Sequence, residues 1–227
     1  MLKSLFAKFE KIVVFDIETT GLYFKSDEII EIGAIQISSE SKPYKVENEL
    51  SSLIQLSLGT HLSPEVIELT GITEQQLSGD GRGKEEVCKQ FIDIISSPNT
   101  LLAAYNAQFD LNFIFHFLNE HKSADALKQV KLLDVMAIYK DRRDFPHKLS
   151  DAVAAYELHN ENAHRAVDDA RATLNVLSAM GEEKDDLDRY INLFGYNPKY
   201  GISGTKISSV IYKPQGYDRK TPLYKVH

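Results

Sequence analysis

A chain of 227 residues, 43% hydrophobic and 26% charged, has material for one large core and excludes a disordered or fibrous polymer. Its formal charge of −7 excludes a protein that coats nucleic acid through bulk basicity, but not one that works on nucleic acid at a carboxylate site neutralised by divalent ions. The single cysteine, Cys88, excludes an internal disulfide or a cysteine-built zinc centre; with no targeting signal or membrane-length apolar run, the expected location is the cytoplasm.

Residues 11 to 16 (KIVVFD), 29 to 37 (IIEIGAIQI) and about 46 to 54 run or alternate apolar with many β-branched side chains, which predicts three strands. Their short links favour an antiparallel meander. Ser63-Pro64-Glu65 starts a short helix that ends near Gly71, and the turn SGDGRG leads to a helix of about 84 to 97 with an apolar stripe of Val87, Phe91, Ile94 and Ile95. An apolar strand at 100 to 105 precedes a helix for which Asn106 is the expected N-cap. A fifth strand at 130 to 135 is followed by helices near 134 to 141, 149 to 158 and 163 to 181. A meander followed by alternating strand and helix predicts an α/β fold with a mixed sheet and helices on its faces. The expected division is a domain over 1–181 and a tail over 182–227, with a further short helix and then a Gly/Pro/Tyr-rich end. From residue 197 the tail carries Lys199, Lys206, Lys213, Arg219, Lys220 and Lys225 against Asp218 alone. It is a solvated extension, a segment folded back on the domain, or a guide for nucleic acid.

Against this apolar background the acids stand out. Asp16 and Glu18 lie two apart at the end of the first strand, so they share a face, and carboxylates in a strand core call for a cation. Gly21 implies a turn that brings backbone close to whatever they hold. Asp110 sits one turn into the helix after a buried strand, at the sheet edge where ligands of open α/β sheets collect; a first-turn Asp also suits the helix dipole. His164 and Asp169 are five residues apart, roughly 140° past one full helical turn, so His164 must sit at or before the helix start while Asp169 is fixed by the helix.

Three stretches in order, FDIETTGL, AYNAQFDLNFI and HRAVDDA, with LTGIT (69–73) and LLDV between them, resemble the motifs of the DEDDh 3′–5′ exonuclease family, typified by the proofreading epsilon subunit of bacterial DNA polymerase III and by ribonuclease T. The resemblance covers about residues 10 to 180 and implies an RNase H-like fold. It transfers catalytic roles to Asp16, Glu18, Asp110, His164 and Asp169, and its five-residue spacing from the histidine selects Asp169 over Asp168.

By that resemblance two Mg²⁺ or Mn²⁺ ions are held by Asp16, Glu18, Asp110 and Asp169, with Asp16 bridging both, Glu18 and Asp169 completing the site of the attacking water, and Asp110 serving the second ion. Four carboxylates without cysteine suit hard ions of this kind. His164 is the implied general base. Thr19, Thr20, Gly21 and Leu22 would hold the terminal nucleotide, with Thr70 near it, and Phe109 either stacks on a base or packs in the core. The implied reaction is release of nucleoside 5′-monophosphates from single-stranded DNA 3′ ends, as a proofreading or repair activity within a DNA polymerase III assembly, with no membrane partner. The alternatives are a trimming exoribonuclease of the ribonuclease T type and an inactive polymerase-binding module.

Overall fold

The computed structural model describes residues 2–40, 44–159, 163–216 and 221–226. A short helix α1 (Lys3–Phe6) leads into strands β1 (Lys11–Thr19), β2 (Ile29–Ser38) and β3 (Lys45–Leu53). These pair antiparallel, β1 to β2 and β2 to β3, as the short links require. Helices α2 (Pro64–Thr70), α3 (Glu74–Gly79) and α4 (Lys84–Ile95) follow, then β4 (Thr100–Ala104), α5 (Ala107–Glu120), β5 (Lys131–Asp134), α6 (Val135–Lys140), α7 (Leu149–Ala155) and α8 (Ala166–Glu183). β4 pairs parallel with β1 and β5 parallel with β4, completing a five-stranded sheet of order β3-β2-β1-β4-β5. This is the expected mixed sheet, three strands antiparallel and two added parallel.

Strand alternation divides the core. Ile12 and Val14 of β1 face one layer, built largely from α6, α7 and α8, whereas Val13, Phe15 and Ile17 face a second layer built largely from α4 and α5. Phe15 meets Phe91 of α4 edge to face at 5.6 Å, and Cys88 is buried in the same layer. All ten residues of β2 are buried, Glu31 among them. Buried Gln36 of β2 donates to the Ile94 carbonyl at 2.7 Å and so pins the end of α4 to the sheet.

Two local features differ from the sequence reading. Helix α3 occupies a stretch whose sequence reads as connection; a capping box, with Gln76 N–H donating to Thr73 Oγ1 and Thr73 N–H to Gln76 Oε1, and burial of Leu77 are enough to form it. Asn106 does stand at the N-cap of α5, but with left-handed φ and ψ of 64° and 44° and no side-chain cap. The cap comes instead from Asp134, whose Oδ1 accepts from the N–H groups of Asn106, Ala107 and Met136, so one carboxylate closes the starts of α5 and α6. Gly21 also packs on the Asp27 carboxylate, a contact not evident in the sequence: a Cβ there would stand 2.6 Å from Asp27 Oδ2.

After α8 the chain runs back over the body. A 3₁₀ turn (Leu187–Tyr190), strands β6 (Leu193–Tyr196) and β7 (Ile211–Pro214) and a last 3₁₀ turn (Leu223–Lys225) bury Leu187, Tyr190, Phe194 and Leu223 against the two layers. β6 and β7 form a separate parallel pair. Asp218, Arg219 and Lys220 of the basic tail lie outside the described residues. Among the described residues no helix is long and apolar enough to cross a membrane.

Candidate active site

Asp16 and Glu18 project from the face of β1 that carries Ile12 and Val14, toward α8. Helix α8 lies hard against β2 there, because Gly33 has no side chain: a Cβ on it would stand 2.1 Å from the Val167 nitrogen and 2.2 Å from the Ala166 carbonyl carbon. The close approach carries the first turn of α8, and Asp169 with it, to the end of β1. His164 precedes the helix, exposed and with a left-handed φ of 67°, and its N–H donates to Asp169 Oδ2 at 3.1 Å. Glu18, His164 and Asp169 each present a ligand atom within 4.8 Å of the others'. Asp168 is half-buried and stands outside this group.

Asp110 arrives from the opposite layer, in the first turn of α5 just beyond the parallel strand β4, and is buried. Electrostatics join it to the rest. Burial, then the charges of Asp110, Asp169, Glu18 and Glu31, push the Asp16 carboxyl well above the usual carboxylate range. Burial, then Asp169 and Glu31, push Glu18 to about 8, with Arg165 opposing. Asp110 is raised by burial and by Asp134 and Glu18, while its own and the Ile17 backbone N–H groups draw it down. Like charges kept this close in a partly dehydrated cleft hold protons until a cation displaces them. Four carboxylates, one exposed imidazole and no thiolate form an oxygen-rich donor set that fits Mg²⁺ or Mn²⁺.

Sequence reasoning passed over the support beneath this cluster. Glu31, fully buried on β2 and paired in register with Glu18, takes Arg165 in a bidentate ion pair: Nη2 to Oε1 at 2.8 Å, and Nε to both oxygens at 3.2 Å. Its Oε2 also accepts from the Ala166 N–H at 3.0 Å, so one carboxylate caps α8 and holds the residue beside His164. The signal was present, since Glu31 is a charge inside an apolar strand.

The expected substrate residues fall in three places. In the turn after β1 the Thr19 hydroxyl donates to the Gly21 carbonyl at 2.6 Å, and the Thr20 hydroxyl accepts from the Glu28 N–H at 3.0 Å. The turn is braced from within, and Leu22 and Tyr23 stand outward, 76% and 75% exposed. Phe109 is half-buried and packs on Phe113 at 5.1 Å, at the edge of the second core layer. Thr70 is buried in the small cluster around Ile30; its hydroxyl donates to the Val66 carbonyl and accepts from the Ile72 N–H, so both functions serve the backbone.

The family model RNase_T, described as exonuclease, matches residues 13–177, which span every acid of the cluster. A DNA polymerase III PolC-type protein of Caldanaerobacter subterraneus subsp. tengcongensis is 31% identical over 219 residues, 94% of this chain and 14% of that protein. The PolC-type protein of Thermotoga petrophila is 34% identical over 165 residues, 72% of this chain and 11% of that protein. The chain therefore spans about one seventh or less of the polymerases it matches. Among solved structures, an exonuclease I superposes with a TM-score of 0.72 at 18% identity, covering 80% of this chain and 43% of that one. A zinc-bound complex of E. coli exonuclease I with single-stranded DNA superposes with a TM-score of 0.71 at 19% identity, over 80% of this chain and 42% of that one. With an exonuclease family model over most of its length, PolC-type relatives above 30% identity and a mixed sheet that superposes on exonuclease I, the chain belongs to the DEDDh-type 3′–5′ exonuclease family of nucleic-acid hydrolases.

Proposed function

We propose that this chain is a two-metal-ion 3′–5′ exonuclease that removes nucleoside 5′-monophosphates from the 3′ end of single-stranded DNA. The observation that carries the reading is the convergence of Glu18, His164 and Asp169 within 4.8 Å, with Asp16 and Asp110 adding carboxylates whose charges reach into the group. Asp16, Glu18, Asp110 and Asp169 would hold two Mg²⁺ or Mn²⁺ ions, which when bound neutralise charge growing on the phosphate and acidify water. His164, on an exposed backbone segment ahead of α8, takes the proton from the attacking water and passes it to solvent. Its N–H bond to Asp169 ties that position to the acid cluster. Leu22 and Tyr23 wedge against the terminal base, and the half-exposed Phe109 offers a second apolar surface for the terminal nucleotide.

DNA is favoured over RNA by the PolC-type relatives, whose names are those of DNA polymerases. The same kinship supports a proofreading or repair role in the cytoplasm, as part of or beside a polymerase III assembly. The test is release of mononucleotide from 3′-labelled DNA and RNA oligomers with Mg²⁺, Mn²⁺ or EDTA. DNA turnover that needs the metal and is abolished by Asp16→Ala in a folded protein supports the reading. Unchanged turnover in Asp16→Ala overturns the site, and turnover of RNA alone overturns the substrate.

A further inference from the structure

Beside the acid cluster, a separate cavity of about 480 Å³ opens between the start of α5, helix α6, the loop that leads into α7 and the returning tail. Its size is that of a ligand site. In a chain of net charge −7, no carboxylate lines it among the described residues, whereas Lys140, His147 and Lys148 do. Lys140 is half-buried, and among the described residues it makes no ion pair. Burial lowers its ammonium pKa and Asp134, too far for a salt bridge, only partly offsets this. A half-buried cation offset only in part, by an acid beyond salt-bridge reach, is a site for an anion.

Two aromatic rings complete the lining. Phe145, from the loop before α7, is 67% exposed and Tyr200, from the tail, is 73% exposed. Lys199 lies over the Tyr200 ring at 5.1 Å and adds a cation at the rim. The walls are fixed rather than loose. The Tyr105 hydroxyl meets the carbonyls of His147 and Lys148 at 3.0 and 3.2 Å, and the buried Gln215 anchors the tail by donating to the Ala137 carbonyl and to Asp141. Asn106, which begins the helix of Asp110, also lines the cavity, so the cavity opens at the same end of α5 that carries Asp110.

We propose that this cavity is a second subsite for single-stranded nucleic acid, in which Lys140 takes a backbone phosphate and Phe145 and Tyr200 take bases of the strand that leads to the hydrolysed end. The chemistry recognised is a phosphodiester flanked by bases, with cations and ring faces alternating as sequence-tolerant strand binding requires. The proposal rests on the nuclease reading above for the direction of the strand, not for binding itself. It also gives the tail a role, since Tyr200 belongs to no catalytic motif.

The test is fluorescence anisotropy of labelled oligodeoxythymidine and oligouridine in EDTA, which removes catalysis, on the full chain and on Lys140→Met, Tyr200→Ala and Lys89→Met, the last deleting the same charge from an exposed site on α4. Lys140→Met is expected to weaken binding about five- to tenfold and to lower the salt slope by about one, Tyr200→Ala to weaken it about fivefold, and Lys89→Met to match the parent. The losses should grow with oligomer length, as a longer strand engages the cavity as well as the cluster. Equal affinity of parent, Lys140→Met and Tyr200→Ala, or no binding by the parent, overturns the subsite. A parent that binds through Lys140 yet hydrolyses neither polymer with Mg²⁺ or Mn²⁺ overturns the nuclease reading and leaves the subsite standing. The DNA and RNA arms decide which backbone the cavity prefers.

Discussion

The pair Glu31–Arg165 makes the strongest quantitative claim on the site. Glu31 is fully buried, and apart from the Ala166 N–H its charge is met among the described residues only by the Arg165 fork. Arg165→Met keeps the apolar stem but removes the cation. Stripping one partner from a buried pair costs about 3–5 kcal/mol. Because the Arg165 side chain is 41% exposed, solvent screens part of the interaction, which lowers the expectation to about 2–3 kcal/mol. Glu31→Gln keeps an acceptor for the Ala166 N–H and should cost less, about 1–2 kcal/mol. The double variant should lose less than the sum of the two, since neither charge is left alone. Urea unfolding in EDTA measures all three. The same pair holds the residue between His164 and α8, so single-turnover hydrolysis of a 3′-labelled oligomer should slow by about 10- to 100-fold in Arg165→Met, the range set by a displacement of an ångström or so. Losses that simply add, or full-speed hydrolysis in Arg165→Met, would refute the claim that Glu31 builds the site through Arg165.

Asp16→Asn removes one of the repelling carboxylates, so without metal it should unfold at a higher temperature than the parent, while turnover falls roughly 10³-fold for the several kcal/mol that metal-assisted stabilisation supplies. Thermal melts in EDTA and with Mn²⁺ check it, since added ion should raise the parent's midpoint more than the variant's. The Glu18 carboxyl is raised from 4.5 to about 8 in the folded state, so the folded protein binds more protons than the unfolded chain between those values. Metal-free stability should therefore fall as pH rises from 4.5 to 8, and saturating Mg²⁺ should flatten that slope; a rising slope in EDTA counts against the clustering. Gly33→Ala places a methyl where the Val167 nitrogen stands 2.1 Å away, and the forced shift of α8 should cost about 1–3 kcal/mol in urea unfolding and weaken Mn²⁺ binding measured by calorimetry.

The parts legible in the sequence are those governed by local period and by charges out of place. Alternation places β1, β2 and β3 to within a few residues, and two acids in an apolar run are enough to mark Asp16 and Glu18. The 140° offset between His164 and Asp169 puts the histidine ahead of the helix, which is where a φ of 67° and the start of α8 at Ala166 leave it. What escapes depends on partners far apart in the chain. Asn106 has the right residue type for a cap, but Asp134, twenty-eight positions on, outcompetes it once β4 and β5 lie side by side. The β6–β7 pair is two four-residue strands joined in parallel across a long connection, with no period long enough to read.

The same contrast separates structural from reactive carboxylates here. Glu31 carries the signature that singles out Asp16 and Glu18, a charge in a buried strand, yet the chain answers it from within through Arg165 and the start of α8. Burial pushes the Asp134 carboxyl up as well, but Lys140 and three backbone N–H groups draw it back. Asp16, Glu18 and Asp110 make no salt bridge among the described residues, and each is pushed toward the protonated form. The fold meets Glu31 and Asp134 with hydrogen bonds from its own groups, whereas Asp16, Glu18 and Asp110 repel one another against only partial relief from Arg165 and two backbone N–H groups, a repulsion that a bound cation would remove.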